Sequence, residues 1–166
     1  MSEITGVAHT GVCVEDVDAA VRWYTEVLGL RLLSPPYRMA GNAIERDMGE
    51  LVPSPVVVKA AIVGVGDDDH VLELLEYPNV ERGDEGAPVP RPVVEPGLSH
   101  LGLTCDDIVA TRDRLRAAGV TFLTSDVADV AGVRTTWLAD PWGNVVILVE
   151  KRRPDRPYWR QHGSPP

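Results

Sequence analysis

The sequence predicts an α+β fold built from two βαβββ modules, because one pattern of residues occurs twice in the chain. Each copy begins with a histidine, His9 or His100, which is followed two residues later by glycine and seven residues later by aspartate. Each copy continues with apolar residues at helical spacing that end at a glycine, Gly29 or Gly119. An internal repeat of this length usually reflects a duplicated structural unit. We therefore expect two similar modules in one chain.

The first module is predicted to span residues 4–77. Residues 7–14 are apolar and rich in β-branched side chains, which favours a strand, and Asp16 is a good N-cap for the helix that follows. Residues 35–55 are rich in proline, glycine and charge, so we expect an insert without regular structure. Three further strands are predicted at residues 30–34, 56–65 and 71–77.

The second module is predicted to span residues 98–150, after a linker at residues 78–97 that holds five prolines and three glycines. Asp107 is the predicted N-cap of its helix. Its four strands are predicted at residues 98–105, 120–123, 133–139 and 144–149, with a turn at 140–143. The basic, proline-rich tail, residues 151–166, is predicted to be an arm that packs on its own body or on a second subunit.

Length and composition exclude several classes of protein. A chain of 166 residues can bury one core, either as one domain or as two modules that share it. The net charge of −9 argues against a nucleic-acid partner, since phosphate binding needs a basic surface. Two cysteines do not make a disulfide framework, and no apolar run approaches the roughly 20 residues that span a bilayer. We expect a cytoplasmic protein without a membrane partner and without a signal peptide.

Strand alternation places each opening histidine beside a glycine. His9 shares a strand face with Gly11 and Cys13, and His100 shares one with Gly102 and Thr104. A glycine two residues from a histidine leaves space beside the imidazole, which suits the floor of a cavity better than a packed core.

The closing strands of the two modules align, so that Glu73 corresponds to Ile147 and Glu76 to Glu150. Glu73 lies among apolar residues, where an ionised carboxylate is costly unless it is paired or bound to a cation. Two imidazoles and one carboxylate can bind zinc, iron, manganese, cobalt or nickel. We therefore predict a divalent metal held by His9, Glu73 and His100. The alternative is that both histidines are hydrogen-bonded core residues and Glu73 faces water at a sheet edge.

Three groups of residues resemble motifs of the vicinal oxygen chelate superfamily. This superfamily includes glyoxalase I, methylmalonyl-CoA epimerase, extradiol dioxygenases and bleomycin-resistance proteins. The three groups are the opening histidines, the helix residues Trp-Tyr-Thr-Glu-Val-Leu-Gly-Leu at 23–30, and Asp-Pro-Trp-Gly-Asn at 140–144. The resemblance covers residues 4–150 as one domain. It implies an eight-stranded open cup, four strands from each module, with a metal on its floor.

The resemblance also implies metal ligands at four positions, which are His9, Glu73, His100 and Ile147 in this chain. The first three match the superfamily, whereas isoleucine stands where the superfamily usually places glutamate. Glu150 lies three residues further on, where alternation turns it to the opposite face. The missing fourth ligand leaves two alternatives. The set of two histidines and one carboxylate binds the metal with open positions for substrate, or the chain has lost the metal altogether.

The insert and one strand of the second module supply candidate substrate contacts. A long loop over a cup mouth is often a lid, and its candidate contacts include Tyr37, Arg38 and Asn42. The alternative is a surface or dimer-contact loop. Arg134 is a candidate for holding a substrate carboxylate, with a solvent-exposed arginine as the alternative, and Trp137 lies on the same strand.

The resemblance implies a metal-dependent enzyme that acts on a small substrate with two neighbouring oxygens. Isomerase or lyase chemistry is favoured, because Glu73 can also move the proton. An extradiol-type dioxygenase is an alternative, although those enzymes take their carboxylate from the position of Ile147. A non-catalytic, drug-sequestering binder of the same fold and an assembly role in a dimer are further alternatives. A homodimer is also implied.

Overall fold

The computed structural model describes residues 3–67, 69–81 and 88–161. The chain divides into two compact units, Met1–Gly86 and Ala87–Pro166. The boundary between them falls in the predicted linker, whose residues 82–87 lie outside the described part of the chain. No helix among the described residues has the length and apolar character needed to cross a membrane.

The elements of unit 1 are β1 His9–Cys13, α1 Val17–Arg22, β2 Arg31–Ala40, α2 Asn42–Met48, β3 Val57–Gly64 and β4 Val71–Glu76. Its strands form a four-stranded mixed sheet with strand order β1-β4-β3-β2. Strands β1 and β4 are parallel, and the other neighbours are antiparallel. Helix α1 continues as one stretch of π-helix, Trp23–Val27.

Unit 2 repeats this topology, with strand order β5-β8-β7-β6 and a parallel β5–β8 pair. Each sheet is open, so neither closes into a barrel by itself. The elements are β5 Leu101–Cys105, α3 Ile108–Ala117, β6 Ala128–Val130, β7 Val133–Ala139, β8 Val145–Lys151 and a single 3-10 turn, Tyr158–Arg160. The predicted α+β fold of two repeated modules is confirmed.

Local sequence explains where the two principal helices begin and end. The Asp16 carboxylate accepts a hydrogen bond from the Ala19 amide at 2.9 Å, and Asp107 accepts from two amides at the start of α3. After each helix the backbone enters the left-handed region, at Gly29 (φ 85°) and Gly119 (φ 83°), where only glycine is unstrained. Both caps and both glycines lie where the sequence predicts them.

Replacing Asp16 by alanine should lower the free energy of unfolding by about 1 kcal/mol at pH 7, because the first turn of α1 loses its cap. The Ala19 amide lowers the pKa of the Asp16 carboxyl below its ordinary value of 3.8. A lowered pKa stabilises the fold above that value, and the stabilisation is lost as the pH falls through the folded-state pKa. Urea unfolding at pH 7 and pH 3 should therefore show a smaller difference between the two proteins in acid. An equal difference at both pH values would contradict this account.

In each unit one glutamate, at matching positions of the repeat, joins the sheet to its helix. Glu76 accepts a hydrogen bond from the Val17 amide at 2.8 Å, and Glu150 accepts one from the Ile108 amide at 2.8 Å. Each also faces a basic residue on the neighbouring strand, with Lys59 Nζ 3.6 Å from Glu76 and Arg134 Nη1 3.2 Å from Glu150. The duplicated modules therefore repeat this ion-paired cap as well as their topology.

The insert is more ordered than the sequence predicts. Strand β2 continues to Ala40 and is followed by helix α2. These two regular elements occupy much of the segment predicted to be a loop. Pro35 and Pro36 are tolerated because they lie in the edge strand β2 where its register with β3 shifts between Ser34 and Tyr37. Helix α2 is stabilised by tertiary packing, because Ile44 is buried in an apolar cluster against β3.

Unit 2 differs from the prediction at the strand expected over residues 120–123. Residues 120–123 form only an isolated bridge, Phe122 with Leu138, and the edge strand is instead β6. The tail packs on its own unit through Gln161, which is buried and bonds to the backbone of Arg153. Residues 162–166 of the predicted arm lie outside the described part of the chain.

Candidate functional site

His9 and Glu73 converge on one face of the unit 1 sheet. In the parallel pair β1–β4, Gly11 lies opposite Glu73, so both share the face that carries His9. The distance from His9 Nε2 to Glu73 Oε2 is 3.3 Å, and 52% and 19% of the two side chains are exposed. Strand alternation therefore brings a half-exposed imidazole and a largely covered carboxylate together, as the sequence pattern predicts.

Tyr37 completes this group, which we call the His9–Glu73 site. Its hydroxyl donates to Glu73 Oε1 at 3.3 Å, while the other carboxylate oxygen faces His9. Burial, together with the Glu73 charge and this hydrogen bond, raises the pKa of Tyr37 above its ordinary value of 10.0. The phenol therefore stays protonated at neutral pH and acts as a hydrogen-bond donor to the carboxylate.

The insert helix α2 covers part of the same sheet face. Ala60 pairs with Leu75, and Ile62 pairs with Glu73, so the apolar cluster around Ala60 continues the face of the site. That cluster is Ile44, Val56, Val58 and Ala60, with Met39, Met48, Val52, Leu75 and Tyr77 packed against it. Burial also raises the pKa of Tyr77, so its phenol remains neutral. The carboxylate of Glu73 therefore lies at the margin of an apolar surface.

His100 occupies the corresponding position in unit 2. Ser99 Oγ lies 2.7 Å from His100 Nδ1, and the Trp137 ring packs edge-on at 4.8 Å between centroids. In the tautomer whose Nδ1–H donates a hydrogen bond to the Ser99 hydroxyl, the Nε2 lone pair is available to a ligand. The first copy has Ala8 where the second has Ser99, and this difference between the copies is the sequence signal that would have identified the serine.

The structure places Ile147 at the position equivalent to Glu73. It lies opposite Gly102 on β5 and opposite Trp137 on β7. Glu150 cannot replace the missing carboxylate on that face, because it bonds to the amide that begins α3. This placement agrees with the expected alternation along the strand.

The other predicted substrate contacts are dispersed. The guanidinium of Arg134 donates to Glu150 at 3.2 and 3.3 Å, on the helix side of the sheet and away from the face of Ile147. Arg38 is exposed and pairs with Lys59 across β2–β3, and Asn42 is the exposed first residue of α2. Among the predicted contacts, Tyr37 hydrogen-bonds to Glu73 and Trp137 packs against His100, each within its own unit.

The donor atoms fit part of a metal site. Within residues 3–67, 69–81 and 88–161, no three or more histidine, cysteine, aspartate and glutamate side chains form a group that could hold a metal ion. Two such donors do converge, His9 Nε2 and Glu73 Oε2. An imidazole and a carboxylate are ligands that zinc, iron, cobalt, nickel and manganese all accept. The chemistry of this pair therefore fits the predicted metal.

Comparison with known proteins gives consistent matches over most of the chain. The family model of the Glyoxalase/Bleomycin resistance protein/Dioxygenase superfamily matches residues 6–148. A probable lactoylglutathione lyase from Vibrio parahaemolyticus is 28% identical, over 89% of this chain and 91% of that protein. A 2-epi-5-epi-valiolone epimerase from Actinomyces is 31% identical, over 86% and 78%. The crystal structure of a glyoxalase family protein from Bacillus cereus superimposes with a TM-score of 0.75 at 20% identity, covering 90% of this chain and 96% of that one.

Proposed function

The chain belongs to the glyoxalase/bleomycin resistance protein/dioxygenase superfamily, and from this premise we propose that it is a metal-dependent lyase or isomerase. Its substrate is a small molecule with two neighbouring oxygen atoms. The observation that carries the proposal is the 3.3 Å approach of His9 Nε2 to Glu73 Oε2, beside a position where Gly11 has no side chain. The relatives named as a lyase and an epimerase support the same class of reaction.

The proposed metal ligands are His9 and Glu73, with His100 as the predicted third. When bound, a divalent metal supplies Lewis acidity to the substrate oxygens. Zinc, iron, nickel, cobalt and manganese all suit this set of ligands. Ile147 offers no donor atom, so the set has one protein ligand fewer than the superfamily pattern and leaves more positions to the substrate.

Glu73 is also the proposed catalytic base. Its carboxylate removes a proton from the carbon next to a substrate carbonyl and returns it to the product. Tyr37 is a positioning residue, because its hydroxyl holds Oε1 at 3.3 Å and so fixes the plane of the carboxylate. The apolar cluster under α2 keeps water away from one side of this group.

The remaining proposals concern the setting of the enzyme. The partner is a small-molecule substrate that touches Tyr37 and Trp137, and the protein acts as a homodimer in the cytoplasm. Analytical ultracentrifugation of the purified protein tests the dimer directly.

Deuterium exchange tests the proposed reaction. The metal-loaded protein should catalyse exchange from D2O into the carbon next to a carbonyl of lactoylglutathione, of 2-epi-5-epi-valiolone or of a related substrate, as followed by proton NMR. Glu73→Gln should slow this exchange by at least about 100-fold, because the base is removed. Glu76→Gln is the matched control, since Glu76 lies on the same strand and bonds to the Val17 amide instead. Equal exchange rates in Glu73→Gln and the wild type would overturn the role of Glu73.

A non-catalytic ligand binder is the second candidate, and Ile147 is the observation that favours it. The isoleucine replaces a ligand that the superfamily pattern places there, as expected if the metal site has decayed. Stoichiometric binding of an apolar or aromatic molecule, without turnover and without metal, would support this candidate. An extradiol-type dioxygenase receives less support, because its carboxylate would come from the same position.

A further inference from the structure

We infer that a cavity in unit 2, beside Trp137, is a substrate subsite that takes a polyhydroxylated ring; this inference rests on the proposed function and names its substrate class. The cavity has a volume of about 270 Å³. Three hydroxyl side chains and one carboxylate line it together with the indole and two small apolar residues. The polar residues are Thr124, Ser125, Thr135 and Asp126.

The cavity lies next to the predicted ligand His100. Trp137 lines it and also packs edge-on against the His100 ring, 4.8 Å between centroids. Thr135 and Trp137 are two residues apart on β7, and they pair with Val149 and Ile147 on β8. They therefore share the sheet face that corresponds to the face of Glu73 in unit 1. A ligand in the cavity would contact the indole that supports the histidine.

A buried arginine holds the wall of the cavity in place. Arg112 is 5% exposed and donates to the carbonyls of Thr124 at 2.8 Å and Ser125 at 2.7 Å. It also donates to Thr136 Oγ1 and stacks over the Phe122 ring at 4.2 Å. These bonds fix the loop in one position, so the hydroxyl groups are preorganised for a ligand.

The repeat shows that the helix itself does not require this arginine. The equivalent residue in the first copy, twelve positions after the opening histidine, is Val21. A buried guanidinium loses its hydration and must be compensated by hydrogen bonds, so an apolar residue is the simpler choice for a helix interior. Arg112 therefore serves the loop that forms the cavity.

The lining groups suit a hydroxylated ligand that carries no anionic group. None of the described residues that line the cavity is basic, and Asp126 is acidic, so an anionic group is disfavoured. Hydroxyl side chains donate and accept hydrogen bonds, and the carboxylate of Asp126, which accepts from Ser125 Oγ at 3.1 Å, can accept more. The indole offers an apolar surface to the C–H face of a ring. Because ligand pockets run from about 300 to 1,000 Å³, this volume suits one ring of a larger substrate.

Titration with myo-inositol, followed by ¹H–¹⁵N NMR of the Trp137 indole, tests the inference on the full chain. We expect a saturable shift of the Trp137 signal, which the Trp137→Phe variant identifies by its loss. Asp126→Asn and Thr135→Val should each weaken the apparent affinity by about tenfold, because each removes a hydrogen-bonding group that lines the cavity. Asp113→Asn, an exposed change on α3, is the matched control and should bind as the wild type does.

A missing Trp137 shift, or equal affinities in the wild type and both cavity variants, would overturn the subsite. The same titration in His9→Ala and Glu73→Ala separates this inference from the proposed reaction. If these variants keep the shift while the wild type binds no metal and exchanges no deuterium, the subsite stands and the proposed reaction falls. If the wild type exchanges deuterium but shows no shift, the subsite alone falls.

Discussion

Replacing His9 or Glu73 by alanine should abolish stoichiometric binding of a divalent metal. The two side chains supply donor atoms 3.3 Å apart, and with Ile147 in place of a fourth ligand no spare carboxylate compensates for either. Loss of one ligand from a three-ligand set removes most of the affinity. Elemental analysis after dialysis should find metal in the wild type and none in either variant.

Glu150→Gln controls for the removal of a strand carboxylate, and it should keep the metal because Glu150 bonds to the Ile108 amide.

Ile147→Glu should tighten metal binding, since it restores the superfamily donor. The residue that faces Ile147 on β5 is Gly102, which has no side chain to obstruct the glutamate. A wild type that stays free of metal after reloading would favour the binder. Iron would instead direct the substrate search toward oxygen uptake, and zinc, nickel or cobalt toward lyases and isomerases.

Replacing Arg112 by methionine should lower the free energy of unfolding by about 2 to 3 kcal/mol. The change removes the guanidinium donors to two part-buried loop carbonyls and to Thr136 Oγ1, whose other partner is Thr124 Oγ1 at 3.2 Å. The methionine side chain has a similar length and fills most of the space, so little of the lost stability comes from an empty cavity. Urea unfolding of the two proteins at one pH measures the difference.

Arg116→Met provides the comparison, because Arg116 is exposed on the same helix and a change there should stay within about 0.5 kcal/mol of the wild type. If the two variants unfold at the same urea concentration, the hydrogen bonds of Arg112 contribute nothing to stability. The account of a loop held by the guanidinium would then be wrong.

The order of elements in each module can be predicted from the sequence because its signals are local. Caps at Asp16 and Asp107 and glycines at Gly29 and Gly119 mark both helices without reference to the rest of the fold. Helix α2 could not be predicted, since seven residues form a stable helix only when Ile44 finds an apolar surface from β3. Strand β6 has three exposed residues without alternation, so it exists only through its pairing with β7.

The candidate site shows the same division between local and distant information. Alternation predicts which faces carry His9 and Glu73, and their approach follows once β1 pairs with β4. Tyr37 reaches Glu73 from an edge strand, although the sequence suggested a loop contact, because the bulges in β2 set its register. Arg134 faces Glu150 owing to cross-strand register, which no periodicity within β7 could reveal.

The ion-paired caps at Glu76 and Glu150 affect which amino-acid substitutions this chain tolerates. They anchor each helix to its sheet by groups that point away from Glu73 and Ile147, so structural support and the proposed chemistry occupy opposite sides of the same strand. After duplication, one copy could exchange the carboxylate at this position for an aliphatic side chain while its framework stayed intact. Directed evolution of new activities can use the same separation, by randomising the open sides of β4 and β8 and leaving the helix-facing residues untouched.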